Sequence, residues 1–251
     1  MHSKLDELPP QFIRTSHIFN LRDLGGYRGA DGHYVTHGKV FRSDNFANAT
    51  EADLDHVVNE LKVQHVIDLR RDNELVVAPP FPATNGIEFH HLELKHLEWE
   101  RFRGIIPSPT ESHERSVKFL SQRYTAMLES GHEAIRRTLE IIAQGEPVVF
   151  HCMAGKDRTG IIAAIMLSLI GVSEADIAHD YALTSIGSER WRSWRAQRSD
   201  TVSRDSYLGT PAEAMTETLR KVRKRFGSIA GYAQVIGFSH TDQLREELLT
   251  P

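Results

Sequence analysis

Residues 148–164 read "VVFHCMAGKDRTGIIAA" and hold the chain's single cysteine, Cys152, with Arg158 six positions later. A short apolar run precedes the cysteine and a long one follows Gly160. Strand, glycine turn and helix in that order make an anion site. The first N–H groups of a helix lack intrahelical partners and point outward at the positive end of its dipole. Gly155 and Gly160 allow the backbone to curl so that successive N–H groups converge. A thiol at the mouth of such a cradle is stabilised as the thiolate: cysteines at helix N-termini beside cations titrate at roughly 3.5–7.5, against about 8.5 when free. Across a curled loop the spacing returns Arg158 to the sulfur, where its planar fork holds two oxygens of one phosphate. Nucleophile, fork and amide cradle together suit in-line attack on phosphorus with the equatorial charge stabilised.

Two other readings of the loop are weaker. A nucleotide-binding P-loop needs glycine where Phe150 stands and Ser or Thr where Asp157 stands. A cysteine at a strand end is often a small inert hydrophobe; its coincidence with Arg158, two glycines and a helix start argues against that here.

The elements that must position this loop are legible around it. "EPVVFH" is a strand of β-branched and aromatic residues, and "TGIIAAIMLSLIG" is a helix apolar all round, expected deep in the core. "VQHVIDLR" reads as a buried strand ending near Asp68 and Arg70, and "GIEFHHLEL" as another. "HYVTHGKVFRSD", around Gly38, reads as a hairpin or irregular β segment. "TEADLDHVVNELK" places Leu54, Val57, Val58 and Leu61 on one helical face, with Thr50 as N-cap. Residues 93–111 lack a period and read as loop. Helices follow over roughly 112–130 and 132–144, stopped by Gly131 and Gly145. "SEADIAHDYALTS" is a helix capped by Ser173. Residues 187–209 are polar and arginine-rich without a firm assignment. Thr210, Pro211 and Glu213 read as a capping box opening a helix with Met215, Leu219, Val222 and Phe226 inside; one or two short helices finish the chain. Strands alternating with helices predict an α/β fold, a central, mostly parallel sheet flanked by helices, in a single domain over 1–251.

The whole chain sets outer limits. Its 251 residues, 40% hydrophobic and 25% charged, are enough for a substantial core and ordinary for a globular protein. A formal net charge of -4 gives no electrostatic case for nucleic-acid binding. One cysteine excludes an internal disulfide and a multi-thiolate zinc site, and suits a reducing compartment. "GIIAAIMLSLIGV" is too short to span a bilayer, and "MHSKLDELPP" has no apolar leader segment. A cytoplasmic location is the expectation, with signal-less export left open.

The loop carries a resemblance. "HCMAGKDRTG" is similar to the signature of cysteine-dependent protein tyrosine phosphatases: His-Cys, five residues, Arg, then Thr or Ser and Gly. The Lys-Asp pair narrows this to the atypical bacterial and fungal members related to dual-specificity and lipid phosphatases. "FNLRDLGGY" (19–27), "VFRSDNF", "VIDLRRDNE" and the ending "RKRFGSIAGYAQVIGFS" also resemble that family, so the likeness covers nearly the whole chain. It implies the cysteine-dependent phosphatase fold and roles residue by residue. Cys152 attacks and forms a phosphocysteine. Arg158 and the amides from Met153 through Ala154, Gly155, Lys156 and Thr159 to the helix start at Gly160 bind the phosphate. Thr159 hydrogen-bonds the sulfur and eases its departure. His151 orients the loop, with plain packing an equal alternative.

The general acid is not fixed by the resemblance. The Trp-Pro-Asp loop of many tyrosine phosphatases is absent, because the tryptophans are followed by Glu100, Arg192 and Arg195. Asp157, inside the cradle, is preferred; Asp68, at the end of a neighbouring strand, is the alternative. Against these stand structural roles: a brace for Arg158 or Lys156 in the case of Asp157, a partner of Arg42 or Arg70 in that of Asp68. Lys156 adds charge at the rim, and in the related lipid phosphatases such a lysine seats extra phosphates.

"HHLELKH" (His90, His91, His96) invites a metal reading. Adjacent strand residues point to opposite faces, and the chemistry needs no metal or other cofactor, so none is expected at the site. "RWRSWRAQR" (190–198) is a lid or partner surface, within a lid region around 185–225, or else a solvated helix. The leading expectation is thus a phosphatase acting on phosphotyrosine in proteins, with phosphoserine and phosphothreonine as an extension. Phosphoinositides are the alternative substrate, and a catalytically dead phosphate-binding module the alternative class. Rhodanese-type sulfur transfer typically uses a shorter loop.

Overall fold

The computed structural model describes residues 8–95, 112–198 and 208–250. In chain order its strands are β1 (Arg22–Asp23), β2 (Tyr34–Val35), β3 (Val40–Ser43), β4 (His65–Asp68), β5 (Glu88–His91), β6 (Val148–His151) and β7 (Leu249–Thr250). Five form the central sheet in the order β1-β3-β6-β4-β5. Only β1 is antiparallel to its neighbour; β3, β6, β4 and β5 run parallel. Alternate side chains leave on opposite faces. Val40, Ile67, Val148 and Phe150 enter a large core, while Phe41, Val66 and Val149 enter a smaller one. Both faces of the parallel strands are therefore covered.

The helices are α1 (Glu51–Asp55), α2 (Asp72–Val77), α3 (His113–Ser130), α4 (His132–Ile142), α5 (Asp157–Leu169), α6 (Glu174–Ala196), α7 (Ala212–Phe226), α8 (Ile229–Val235) and α9 (Thr241–Leu248). α5 is buried along almost its whole length, as its apolar circumference requires. On the other face, Val57 is fully buried and Leu54, Val58 and Leu61 pack round it. Thr50 and Asp53 form a capping box at the start of that helix, which widens into one π turn over His56–Glu60.

Register brings Ser43, His151, Asp68 and His91 abreast at the carboxyl ends of the four parallel strands. That edge of the sheet carries the loop after β6.

Several expectations needed correction. The segment around Gly38 is the irregular β segment of the two readings and not the hairpin: β2 pairs with β7 near residue 250, while β3 lies between β1 and β6. Val40 and Phe41 are apolar on both faces and suit an interior strand, whereas Tyr34 is 51% exposed and suits an edge ribbon. Thr210 makes no capping box; its hydroxyl donates to the Ala182 carbonyl, and Pro211 takes the N-cap position. The helix capped by Ser173 does not stop near 185 but runs on to Ala196, taking in most of the arginine-rich stretch. Of the expected lid, residues 185–196 are thus helix α6, which packs on α7, while 199–207 fall outside the described residues. So do residues 96–111 of the expected loop, with His96 and Glu100. The short helix α2 lacks a period long enough to be seen in sequence.

Candidate active site

Between the end of β6 at His151 and the start of α5 at Asp157, the chain turns through Cys152 to Lys156. What shapes this turn is the way its carbonyls are held from behind. The Met153 carbonyl accepts from the Asn45 side-chain amide at 2.8 Å and from the Asn45 N–H at 3.2 Å. The Ala154 and Gly155 carbonyls accept from Asn20 Nδ2 at 3.0 and 3.2 Å, and Arg42 donates to the Gly155 carbonyl at 2.7 Å. In a trans peptide the N–H points opposite the C=O. Tying three successive carbonyls therefore turns the N–H groups of Ala154, Gly155 and Lys156 away from Asn20, Asn45 and Arg42. Gly155 sits at φ +64, and a Cβ there would lie 2.5 Å from the Ser43 carbonyl oxygen and 2.7 Å from Asn20 Nδ2. No other residue fits so close to its own ties.

A buried charge network holds the ties in turn. Asp180 accepts from Arg22 Nε at 2.8 Å and from Arg42. Arg22 donates to Asn20 Oδ1 at 2.6 Å, which leaves the Asn20 amide nitrogen facing the loop. Burial pushes Asp180 up, but Arg22 and Arg42 outweigh it and hold it below the usual carboxylate range. Burial, with the charge of Arg42 beside it, lowers Arg22 to about 10. Asp44 accepts the N–H groups of Phe19 and Asn20, and burial pushes its carboxyl up to about 6.

Cys152 is buried at the base of the loop. Arg158, on the first turn of α5, forms a two-pronged pair with Glu74 of α2: Nη1 to Oε2 at 2.5 Å and Nη2 to Oε1 at 2.8 Å. This fixes the guanidinium by its terminal fork and leaves the Nε edge clear of Glu74. Burial alone would raise Glu74; the bonds and charge of Arg158 bring it instead to about 2. Burial opposes the charge on Arg158, and Glu74 more than compensates, so Arg158 is held above its ordinary value.

Asp157 is half-buried and accepts the Tyr124 hydroxyl at 2.7 Å; Tyr124 and Tyr181 share a 2.6 Å hydroxyl contact. Burial pushes Asp157 up, yet Lys156, Arg123 and the Tyr124 bond bring it to about 2. It is a carboxylate in this state. Asp68 is fully buried and gripped by Arg70 through Nε and Nη2, the second at 2.6 Å. The partner is thus Arg70; Arg42 is engaged by Asp180. Beside Asp68 in register stands His151, with Nε2 at 3.6 Å from Oδ2 and Nδ1 at 3.3 Å from the Cys152 carbonyl. Burial lowers His151 to about 4, so it is neutral and braces the strand end. The expected bond from Thr159 to sulfur is not made: its buried hydroxyl has no hydrogen-bond partner in this state.

Sequence reasoning placed the loop but missed its frame. Asn20, Asn45, Glu74, Tyr124 and Asp180 had no assigned role. Asn20 and Glu74 lie inside "FNLRDLGGY" and "VIDLRRDNE", so the signal was present without a spatial meaning. Asp180, between His179 and Tyr181 on a helix, offered only the oddity of a carboxylate on the face shared with Ile177, Tyr181 and Thr184.

The model of the tyrosine phosphatase family matches residues 13–250. The chain belongs to that family. Its enzyme class is that of a protein-tyrosine phosphatase, a phosphoric monoester hydrolase. Among relatives, the triple specificity protein phosphatase PtpB of Mycobacterium tuberculosis is 25% identical, over 88% of this chain and 92% of its own length. A tyrosine-protein phosphatase of Nostoc commune is 28% identical, over 80% and 70%. Among solved structures, P. aeruginosa TpbA aligns with 82% of this chain and 90% of its own at 14% identity and a TM-score of 0.37. As a tyrosine phosphatase, the protein has no Trp-Pro-Asp sequence, and it carries Asp157 at the first position of the helix that follows the Cys152 loop.

Proposed function

We propose that the protein hydrolyses phosphotyrosine in proteins through a phosphocysteine, with phosphoserine and phosphothreonine as further substrates. The observation that carries this reading is the tying back of three loop carbonyls beside a buried cysteine and a braced arginine. Cys152 Sγ donates an electron pair to phosphorus while the ester P–O bond breaks. The N–H groups of the loop and the Nε edge of Arg158 take the equatorial oxygens, with no reorganisation at the moment of reaction.

The leaving oxygen needs a proton, and Asp157 is the donor. It carries none in the free state, but a phosphate monoester loses its second proton near pH 6. Such a substrate brings the proton in, and its negative charge raises the carboxyl beside it. In the second step water attacks phosphorus, Asp157 takes the water's proton, and the sulfur leaves as thiolate. The unpartnered hydroxyl of Thr159 is available to that thiolate. Lys156 supplies rim charge that keeps Asp157 and the phosphate oxygens paired.

A relative named for triple specificity supports extending the substrate range beyond phosphotyrosine. The test is a panel of phosphotyrosine, phosphoserine and phosphoinositide substrates, run with a chelator and beside Cys152→Ser. Turnover led by phosphotyrosine and lost in the variant is expected. Turnover confined to phosphoinositides would move the substrate class, and tight binding without turnover would make the protein a phosphate-binding module.

A further inference from the structure

At the amino ends of the parallel strands, across the sheet from the catalytic loop, His65 of β4 meets Glu88 and His90 of the edge strand β5. His65 is directly opposite Glu88 in register, and His90, two residues on, shares its face. His65 Nδ1 lies 3.1 Å from His90 Nε2 and 3.7 Å from Glu88 Oε2; His90 Nε2 lies 3.7 Å from Glu88 Oε1. Zinc bonds of about 2.0–2.2 Å in a tetrahedron place neighbouring ligand atoms roughly 3.3–3.5 Å apart. The two imidazole nitrogens and the nearer Glu88 oxygen for each have that spacing within a few tenths of an ångström, and one donor atom from each of the three side chains lies within 4.8 Å of the others. Among the described residues this is the group of three such side chains close enough to share one ion.

A second observation concerns the far side of the imidazole. His65 Nε2 is 2.6 Å from Glu146 Oε2. Donation of the Nε2 proton to that carboxylate fixes the tautomer and leaves a lone pair on Nδ1, aimed at His90 and Glu88. A carboxylate behind a histidine is the usual second partner of a metal ligand, and raises its basicity. His65 is buried and held in place, while Glu88 is 68% exposed, so a cation reaches the group from solvent. Gln64, His65, Glu88 and Glu146 also line an open recess of about 350 Å³, which brings solvent to His65 and Glu88.

We propose that His65, Glu88 and His90 form a site for a zinc-class divalent cation, with Glu146 as the outer partner of His65. Two imidazoles and one carboxylate favour zinc over magnesium or calcium. The ion clips edge strand β5 to β4 and, through Glu146, to the turn that enters β6. It lies at the opposite end of these strands from Cys152, so its role is structural and separate from the phosphatase reaction.

The test uses tag-free, chelator-stripped full-length protein titrated with Zn²⁺ by calorimetry and with Co²⁺ by visible absorption. One equivalent is expected to bind, with the intense d–d bands of four-coordinate cobalt and a rise in melting temperature. His90→Ala should abolish all three signals, and Glu146→Gln should weaken affinity about 10–100-fold. Hydrolysis of an aryl phosphate with chelator present checks that each variant is folded. Absence of stoichiometric binding by the native protein would overturn the proposal, leaving a direct hydrogen bond between the two imidazoles. So would binding that His90→Ala and Glu88→Gln leave unchanged.

Discussion

Arg158 and Glu74 show how one pair sets the reach of the site. The Arg158 side chain is 6% exposed and the Glu74 side chain 14%, so neither charge is fully screened. Glu74→Gln should destabilise the fold by about 2 kcal/mol, below the roughly 3–5 expected for a fully buried pair. It should also lower kcat/KM by about tenfold or more as the fork loses its anchor, read from steady-state kinetics beside a urea melt. Asp157 makes a different prediction. An alkoxide needs protonation more than a nitrophenolate does. Asp157→Asn should therefore lose on the order of 10²-fold or more on a phosphoserine peptide, and far less on a nitrophenyl ester. Equal losses on both would assign Asp157 to bracing the loop through Tyr124 rather than to proton transfer. At this scale the sequence revealed the candidate residues of the loop, because their spacing is local. It hid Glu74 and Tyr124, whose contacts with the loop span 84 and 33 positions.

The loop as an element depends on Gly155. Gly155→Ala adds a left-handed backbone cost of about 1–2 kcal/mol and drives a methyl into the Ser43 carbonyl. The expected result is a loss of activity well beyond the loss of stability: at least about tenfold in kcat/KM, with a fold that still melts cooperatively. Asn20→Ala should act in the same direction, since it frees two of the tied carbonyls. Elements were readable in sequence where the period was long. α5 follows from an unbroken apolar run, α3 and α4 from glycine stops, and β4 and β6 from β-branched pairs. What was not readable was partner choice. β2 looks like the first arm of a hairpin because β3 follows it closely, but its partner comes from the last described residues. α6 outran its expected end because its second half is anchored through tertiary contacts, with Trp194 against His17 and Phe19 and Arg190 donating to the Phe19 carbonyl.

For the molecule as a whole, the buried ionisable groups set how stability responds to acid. His151, at about 4 in the fold against about 6.5 when unfolded, favours the fold above that window. Its contribution is lost as pH falls from about 6.5 to 4, because the unfolded chain binds the proton first. Asp44, at about 6 against about 3.8, has the opposite sign: the folded state binds the proton first, so stability is gained over nearly the same window. The two largely offset. Glu74 and Asp157, both at about 2, are fully stabilising above about 4.5 and lose that contribution as pH falls toward 2. The urea midpoint should therefore be nearly flat from pH 6.5 to 4.5 and fall steeply below. A midpoint declining steadily from pH 7 would contradict this balance. The α/β class and the position of the site at the carboxyl ends of the parallel strands were visible from the alternation of strands and helices. The tie between the chain's first described segment and the loop, through Asn20, Arg22 and Asp180, was not, because its bonds join residues 134 to 158 positions apart.

Trapping the phosphoenzyme tests the account most directly. Asp157→Asn protein, slowed in its second step, is mixed with an aryl phosphate, quenched in acid, and digested for mass spectrometry. Phosphate is expected on the peptide carrying Cys152, with no such species and at least about a thousandfold less turnover in Cys152→Ser. Turnover by Cys152→Ser within about tenfold of the native rate, or phosphate recovered on any other residue, would contradict it.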